Sequence, residues 1–123
     1  MAFSRIAVLV VEDEALVRMG IVDFLEDHGF EVFEAENADD AITILVSTPR
    51  ITIIFTDVDM PGGMDGLKLA AAVRNRWPPI KIVVTSGHRK VNLDDLPVEA
   101  KFFGKPYNPD EIVKALRQMS RSG

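Results

Sequence analysis

The sequence predicts an α/β fold: a doubly wound, five-stranded parallel sheet with helices on both faces. Two observations lead there. Short apolar runs alternate with segments of helical period five times over, and the residues suited to chemistry stand just past the ends of those runs. Strict β-α alternation implies right-handed crossovers. With five strands the expected order is 2-1-3-4-5, which places the first and third strands side by side at a switch point.

Residues 6–11 are apolar throughout, as in a parallel strand covered on both faces. Val17, Ile21, Phe24 and Leu25 then recur at helical spacing, and Gly29 is placed to close that helix. Residues 31–35 read as a shorter, more polar strand that suits a sheet edge. Asn37 can cap a second helix carrying Ala41, Ile42 and Leu45, which Pro49 ends. The third strand spans 52–56 and delivers Asp57. Gly62 and Gly63 form a loop before a helix through Leu67, Ala70, Ala71 and Arg74, and Pro78-Pro79 stops it. Residues 81–85 form the fourth strand and 100–103 the fifth. Between them lie Gly87, Pro97 and the helix-poor Asn92, Asp94 and Asp95, while Val91, Leu93, Leu96 and Val98 keep no sustained helical period. A short turn or irregular loop anchored by Leu93 and Leu96 is expected there, in place of a regular fourth helix. The last helix has the clearest start, with Asn108 at the cap, Pro109 at the first position and Glu111 completing a capping box. Ile112, Leu116 and Met119 form its inner stripe, with Lys114 and Arg117 facing outward.

Residues 1–123 read as one domain of ordinary globular composition. A formal charge of −5 argues against a nucleic-acid-binding face. No apolar run reaches the ~18 residues of a membrane span, and Met-Ala-Phe-Ser-Arg lacks the layout of a signal peptide. The absence of cysteine excludes disulfides, thiol catalysis and thiolate metal sites. A cytoplasmic protein with no direct nucleic-acid or membrane partner is expected. Only Ser120-Arg121-Ser122-Gly123 end the chain, so no output domain is expected after the last helix.

In open α/β sheets, ligands bind at the carboxyl ends of the strands, beside the switch point. Glu12 and Asp13 follow the first strand, Asp57 the third and Lys105 the fifth, while Thr85 ends the fourth. Clustered carboxylates repel one another. A hard divalent cation relieves that repulsion, and Mg²⁺ suits one or two carboxylates with water and phosphate oxygens. Asp57 can then attack a phosphoryl group to form an acyl phosphate, with the Lys105 ammonium neutralising the transferred charge and the Thr85 hydroxyl donating to a phosphoryl oxygen. Singly, these residues read as a turn former, helix-start charge, a strand end and a surface lysine. Jointly those readings need several coincidences on one rim. His28 and His88 read as a helix-end and a loop residue, and Trp77 as cover for the end of the third helix.

At these positions the sequence resembles the receiver domains of two-component response regulators, of the single-domain, CheY-like kind, over essentially its whole length. The matching pieces are Val10-Val11-Glu12-Asp13-Glu14, Asp57-Val58-Asp59-Met60-Pro61, Asp65-Gly66, Val84-Thr85-Ser86-Gly87 and Lys105-Pro106-Tyr107. The resemblance implies a flavodoxin-like (βα)5 fold with Asp57 as phosphoacceptor. It implies Mg²⁺ bound by Asp13, Asp57 and the Asp59 backbone carbonyl, with Glu12 acting through water. Thr85 becomes the switch hydroxyl, Lys105 the phosphate-pairing lysine and Phe102 the switch aromatic. The implied partners are a histidine kinase or histidine phosphotransfer protein and an unidentified downstream protein, and a homodimer stays open. Enzymatic activity beyond slow self-dephosphorylation is not expected. A cis Lys105–Pro106 bond is expected where the lysine turns back toward Asp57.

Three departures stand out: an extra glycine in the loop at 61–66, the added carboxylate of Asp59, and the helix-poor stretch at 88–99. Asp57-Val58-Asp59 also supplies the Asp-x-Asp of Mg²⁺-dependent phosphatases of the haloacid-dehalogenase type. In that family the pair follows the first strand, and a cap shapes the substrate pocket. Here it follows the third, with too little chain for a cap.

Overall fold

Side chains of a strand alternate between the two faces of its sheet, so a strand apolar at every position needs cover on both sides. β1 (Ala7–Val11) is such a strand, buried along its whole length. In the computed structural model, which describes residues 5–59, 66–87 and 100–121, it lies between β2 (Glu31–Ala35) and β3 (Ile53–Asp57). β4 (Lys81–Ser86) and β5 (Lys101–Gly104) complete a five-stranded parallel sheet in the order β2-β1-β3-β4-β5. Fold class and strand order are those expected, with strand ends displaced by about one residue. The irregular segment expected between β4 and β5, and the glycine loop after β3, fall outside the described residues.

The alternation of β1 divides the core into two layers. Ala7, Leu9 and Val11 pack toward Leu45 of α2 (Ala38–Ser47) and Leu69 and Val73 of α3 (Gly66–Arg76). Val8 and Val10 pack toward Ile21 and Leu25 of α1 (Ala15–Asp27) and Ile112 and Leu116 of α4 (Pro109–Arg121). Phe102 joins the first layer and Phe103 the second.

The caps follow local chemistry. Asn37 Oδ1 accepts from the Asp40 amide at 2.8 Å, and Asn108 Oδ1 accepts from the Asp110 amide at 2.9 Å. At the end of α1, Gly29 takes φ of 90°, and the Gly29 and Phe30 amides return to the Glu26 and Leu25 carbonyls. Glycine enters this left-handed conformation without the Cβ penalty. Arg117 of α4 donates to the His28 carbonyl at 3.0 Å, tying the last helix to the end of the first. No helix among the described residues is long and apolar enough to cross a membrane.

Candidate functional site

Register decides which strand ends meet. Val11 pairs with Thr56 and Asp57 pairs with Thr85, so Glu12, Asp57 and Thr85 leave the sheet beside one another. Lys105 follows β5 directly, its amide donates to the Ser86 carbonyl at 2.9 Å, and its bond to Pro106 is cis, as expected. Gly66 opens α3 against the end of β3, where an added Cβ would overlap the Asp57 carbonyl and come within 2.7 Å of Val58 Cα. Only glycine permits that approach.

Lys105 is the hub of the cluster. Its Nζ lies 2.9 Å from Asp57 Oδ2 and 3.3 Å from Glu12 Oε1. Asp57 Oδ1 accepts from the Asp59 amide at 3.0 Å, and Glu12 Oε2 accepts from the Glu14 amide at 3.1 Å. Carboxylate oxygens of Glu12, Asp13 and Asp57 all lie within 4.8 Å of one another. Asp13 and Asp57 border a cavity of about 480 Å³ also lined by Asp59, Lys105 and Tyr107 among others.

Burial pushes the Glu12 carboxyl up to about 7, with the Asp57 charge adding to the rise and the Glu14 amide opposing it. Burial also works against the Lys105 ammonium, but the hydrogen bond and charge of Asp57, together with Glu12, hold it above its ordinary value. Burial raises the Tyr107 hydroxyl.

Thr85 Oγ1 is buried and has no hydrogen-bond partner among the described residues. Leaving such a group unpaired costs roughly 1–3 kcal/mol, a cost relieved by an incoming oxygen acceptor. The donor set is all oxygen, without histidine or cysteine, and this suits a hard cation over a soft one.

The structure thus brings Glu12, Asp13, Asp57, Thr85 and Lys105 to one rim. Phe102 stands apart from that cluster: it is half-buried in the α2–α3 layer and pairs in register with Val84, one position from Thr85. The Asp59 carboxylate reaches across to β4, where Oδ2 accepts from Ser86 Oγ and the Gly87 amide, each at 3.0 Å. Two further residues border the site: Tyr107, which the motif at 105–107 contains, and Arg18, which no spacing marks. Tyr107 packs edge-on against Phe55 at 5.7 Å, and Arg18 donates to the Glu12 carbonyl at 2.7 Å.

A family model described as the response regulator receiver domain matches residues 8–117. The response regulator receiver protein CpdR of Brucella abortus is 31% identical over 115 residues, which cover 91% of this chain and 94% of that protein. An NtrX-like response regulator of Rickettsia bellii is 31% identical over 94% of the chain, and the sensor kinase CckA of Brucella abortus 35% over 91%. The chain spans 25% and 12% of the length of those two proteins. The crystal structure of a response regulator receiver protein from Sinorhizobium medicae superimposes with a TM-score of 0.89 at 25% identity, covering 97% of each chain.

Proposed function

Because the chain belongs to the response regulator receiver domains of two-component systems, we propose that Asp57 accepts a phosphoryl group from a phosphohistidine of a histidine kinase or histidine phosphotransfer protein. An Asp57 carboxylate oxygen bonds to phosphorus while the donor's P–N bond breaks and the imidazole nitrogen leaves with its electron pair. Asp13 and Asp57 would hold Mg²⁺ directly, with the Asp59 backbone carbonyl as a further ligand and Glu12 acting through water. The chemistry such an ion supplies when bound is neutralisation of charge on the phosphoryl oxygens. Lys105 pairs with one of those oxygens, and the Thr85 hydroxyl donates to another.

The observation that carries this reading is the unpaired, buried Thr85 Oγ1 next to a carboxylate already paired with an ammonium at 2.9 Å. An arriving phosphoryl group would satisfy a hydroxyl that no described residue satisfies. Movement of Thr85 then couples, diagonally across β4 and β5, to the packing of Phe102 and to the partner-binding surface. In this reading residues 1–123 act as one receiver domain in the cytoplasm, with no catalytic turnover beyond slow self-dephosphorylation.

Intact-mass measurement after incubation with acetyl phosphate and Mg²⁺ is the direct test. Wild type gains one phosphoryl group, and Asp57→Asn gains none while keeping its circular dichroism spectrum. Stoichiometric labelling of Asp57→Asn at another residue overturns the assignment. Turnover of a phosphomonoester well above stoichiometry transfers the case to the phosphatase reading.

A further inference from the structure

The backbone of Glu12 is held at both of its polar groups. Its amide extends the β1–β2 ladder to the Ala35 carbonyl at 3.0 Å, and its carbonyl accepts from Arg18 Nη1 at 2.7 Å. β2 ends at Ala35, so the guanidinium supplies a donor where the strand supplies no further residue. Arg18 Nε donates to Glu34 Oε1 at 2.9 Å, and the arginine side chain is only 16% exposed. One planar fork therefore joins the metal-side turn, the first turn of α1 and the edge strand β2. Lysine has no such fork, because a single ammonium on a flexible stem does not hold two acceptors at a fixed angle.

We propose that Arg18 is a positioning residue for the acidic turn: it holds the backbone that carries Glu12 and Asp13, keeping their carboxylates aimed at Asp57. The physical need is plain. Three carboxylates within 4.8 Å repel one another, and the turn after β1 relieves that repulsion most easily by swinging outward. A tie on the Glu12 carbonyl opposes the swing without competing for any carboxylate oxygen. The inference rests on the Mg²⁺ reading above, since the benefit of aiming these oxygens is realised when a cation meets them.

The test uses the full chain and Mg²⁺ alone, titrated by calorimetry. Arg18→Met keeps much of the apolar stem and should weaken Mg²⁺ binding about tenfold, in the range usual for partners that orient metal ligands. Arg18→Lys restores charge but not the fork, and should recover only part of the loss. Arg50→Met is the control: it removes the other ion pair of β2, in which Arg50 Nη2 lies 2.7 Å from Glu31 Oε2, and should leave Mg²⁺ affinity unchanged.

A second readout needs no metal. The Glu14 amide is held by Glu12 Oε2 at 3.1 Å, so its hydrogen exchange should quicken in metal-free Arg18→Met and stay unchanged in Arg50→Met. Equal loss of Mg²⁺ affinity in both variants overturns the proposal, as does full recovery in Arg18→Lys. Arg18→Met binding Mg²⁺ within about twofold of wild type, well short of the range for orienting partners, overturns it too. Wild-type Mg²⁺ binding that survives Asp13→Asn overturns the metal reading instead, and Glu14 exchange then decides the positioning role by itself.

Discussion

Glu12 lies inside the protein at 4% exposure with its carboxyl pushed up to about 7, chiefly because burial disfavours the charged form. The sign of the consequence follows from linkage. A folded-state value raised from 4.5 to about 7 means that the native state binds the proton more tightly than the unfolded chain. The contribution of Glu12 to metal-free stability is therefore largest at the acidic side of that interval and is lost as pH rises through it. Glu31, which the Arg50 hydrogen bond holds below its ordinary value, adds an opposing slope only at the acidic edge of this window, where its unfolded form still binds a proton. Urea midpoints measured in chelator at pH 5 and pH 8 should show the fall, and Glu12→Gln should flatten it. Thr85→Val makes a second prediction, because removing an unpaired buried hydroxyl should raise metal-free stability by about 1 kcal/mol, while phosphoryl uptake persists and transmission to a partner fails. Asp57, Thr85 and Lys105 were legible in sequence because each stands at a strand end, and strand ends share a rim. Arg18 and the side chain of Asp59 were not legible. Their destinations depend on the path of a turn and of a loop, which spacing alone does not specify.

At the scale of elements, the helix starts were legible wherever a side chain does the capping, as at Asn37 and Asn108. α1 is different. Glu14 at its cap makes no side-chain cap bond, and its first turn holds no acidic residue. Glu12 and Asp13 both precede the helix, and Glu12 Oε2 accepts from the amide of the cap residue Glu14 at 3.1 Å. Close packing at the start of α3 yields a sharper prediction. Gly66→Ala forces backbone apart beside Asp57 and should destabilise the protein by about 1–3 kcal/mol, the usual cost of overpacking. Its phosphoryl uptake should also slow if Asp57 is the acceptor, because the displaced atoms belong to Asp57 and Val58. Urea unfolding and the labelling rate together check this. Gly29→Ala should cost about 1–2 kcal/mol through the left-handed conformation alone and leave labelling unchanged.

The layer plan of the whole molecule was legible because an all-apolar β1 demands cover on both faces, and alternating strands and helices supply it. The proposed metal binding would act at this scale as well. At free Mg²⁺ of about 100 times Kd, stability should rise by about 2.7 kcal/mol. In Asp13→Asn that rise should vanish, while the metal-free form matches or exceeds wild type through relief of repulsion; thermal shifts with and without Mg²⁺ decide both points. The strand order has a consequence for biosynthesis. Once β1 has paired with β2, β3 takes its other flank, β4 joins β3 and β5 joins β4. Each newly translated strand adds to one growing edge, so the sheet can assemble while the ribosome is still adding residues. The ammonium comes late in that sequence, since Lys105 follows Asp57 by 48 residues and Glu12 by 93. Without a divalent cation, a nascent chain would bring its carboxylates together before Lys105 is available, and protonation or separation would relieve their repulsion until β5 docks. Stalled chains ending before residue 100 should accordingly protect β1 and β3 better from hydrogen exchange at pH 5 than at pH 8, whereas the complete chain, with Lys105 in place, should show a smaller difference.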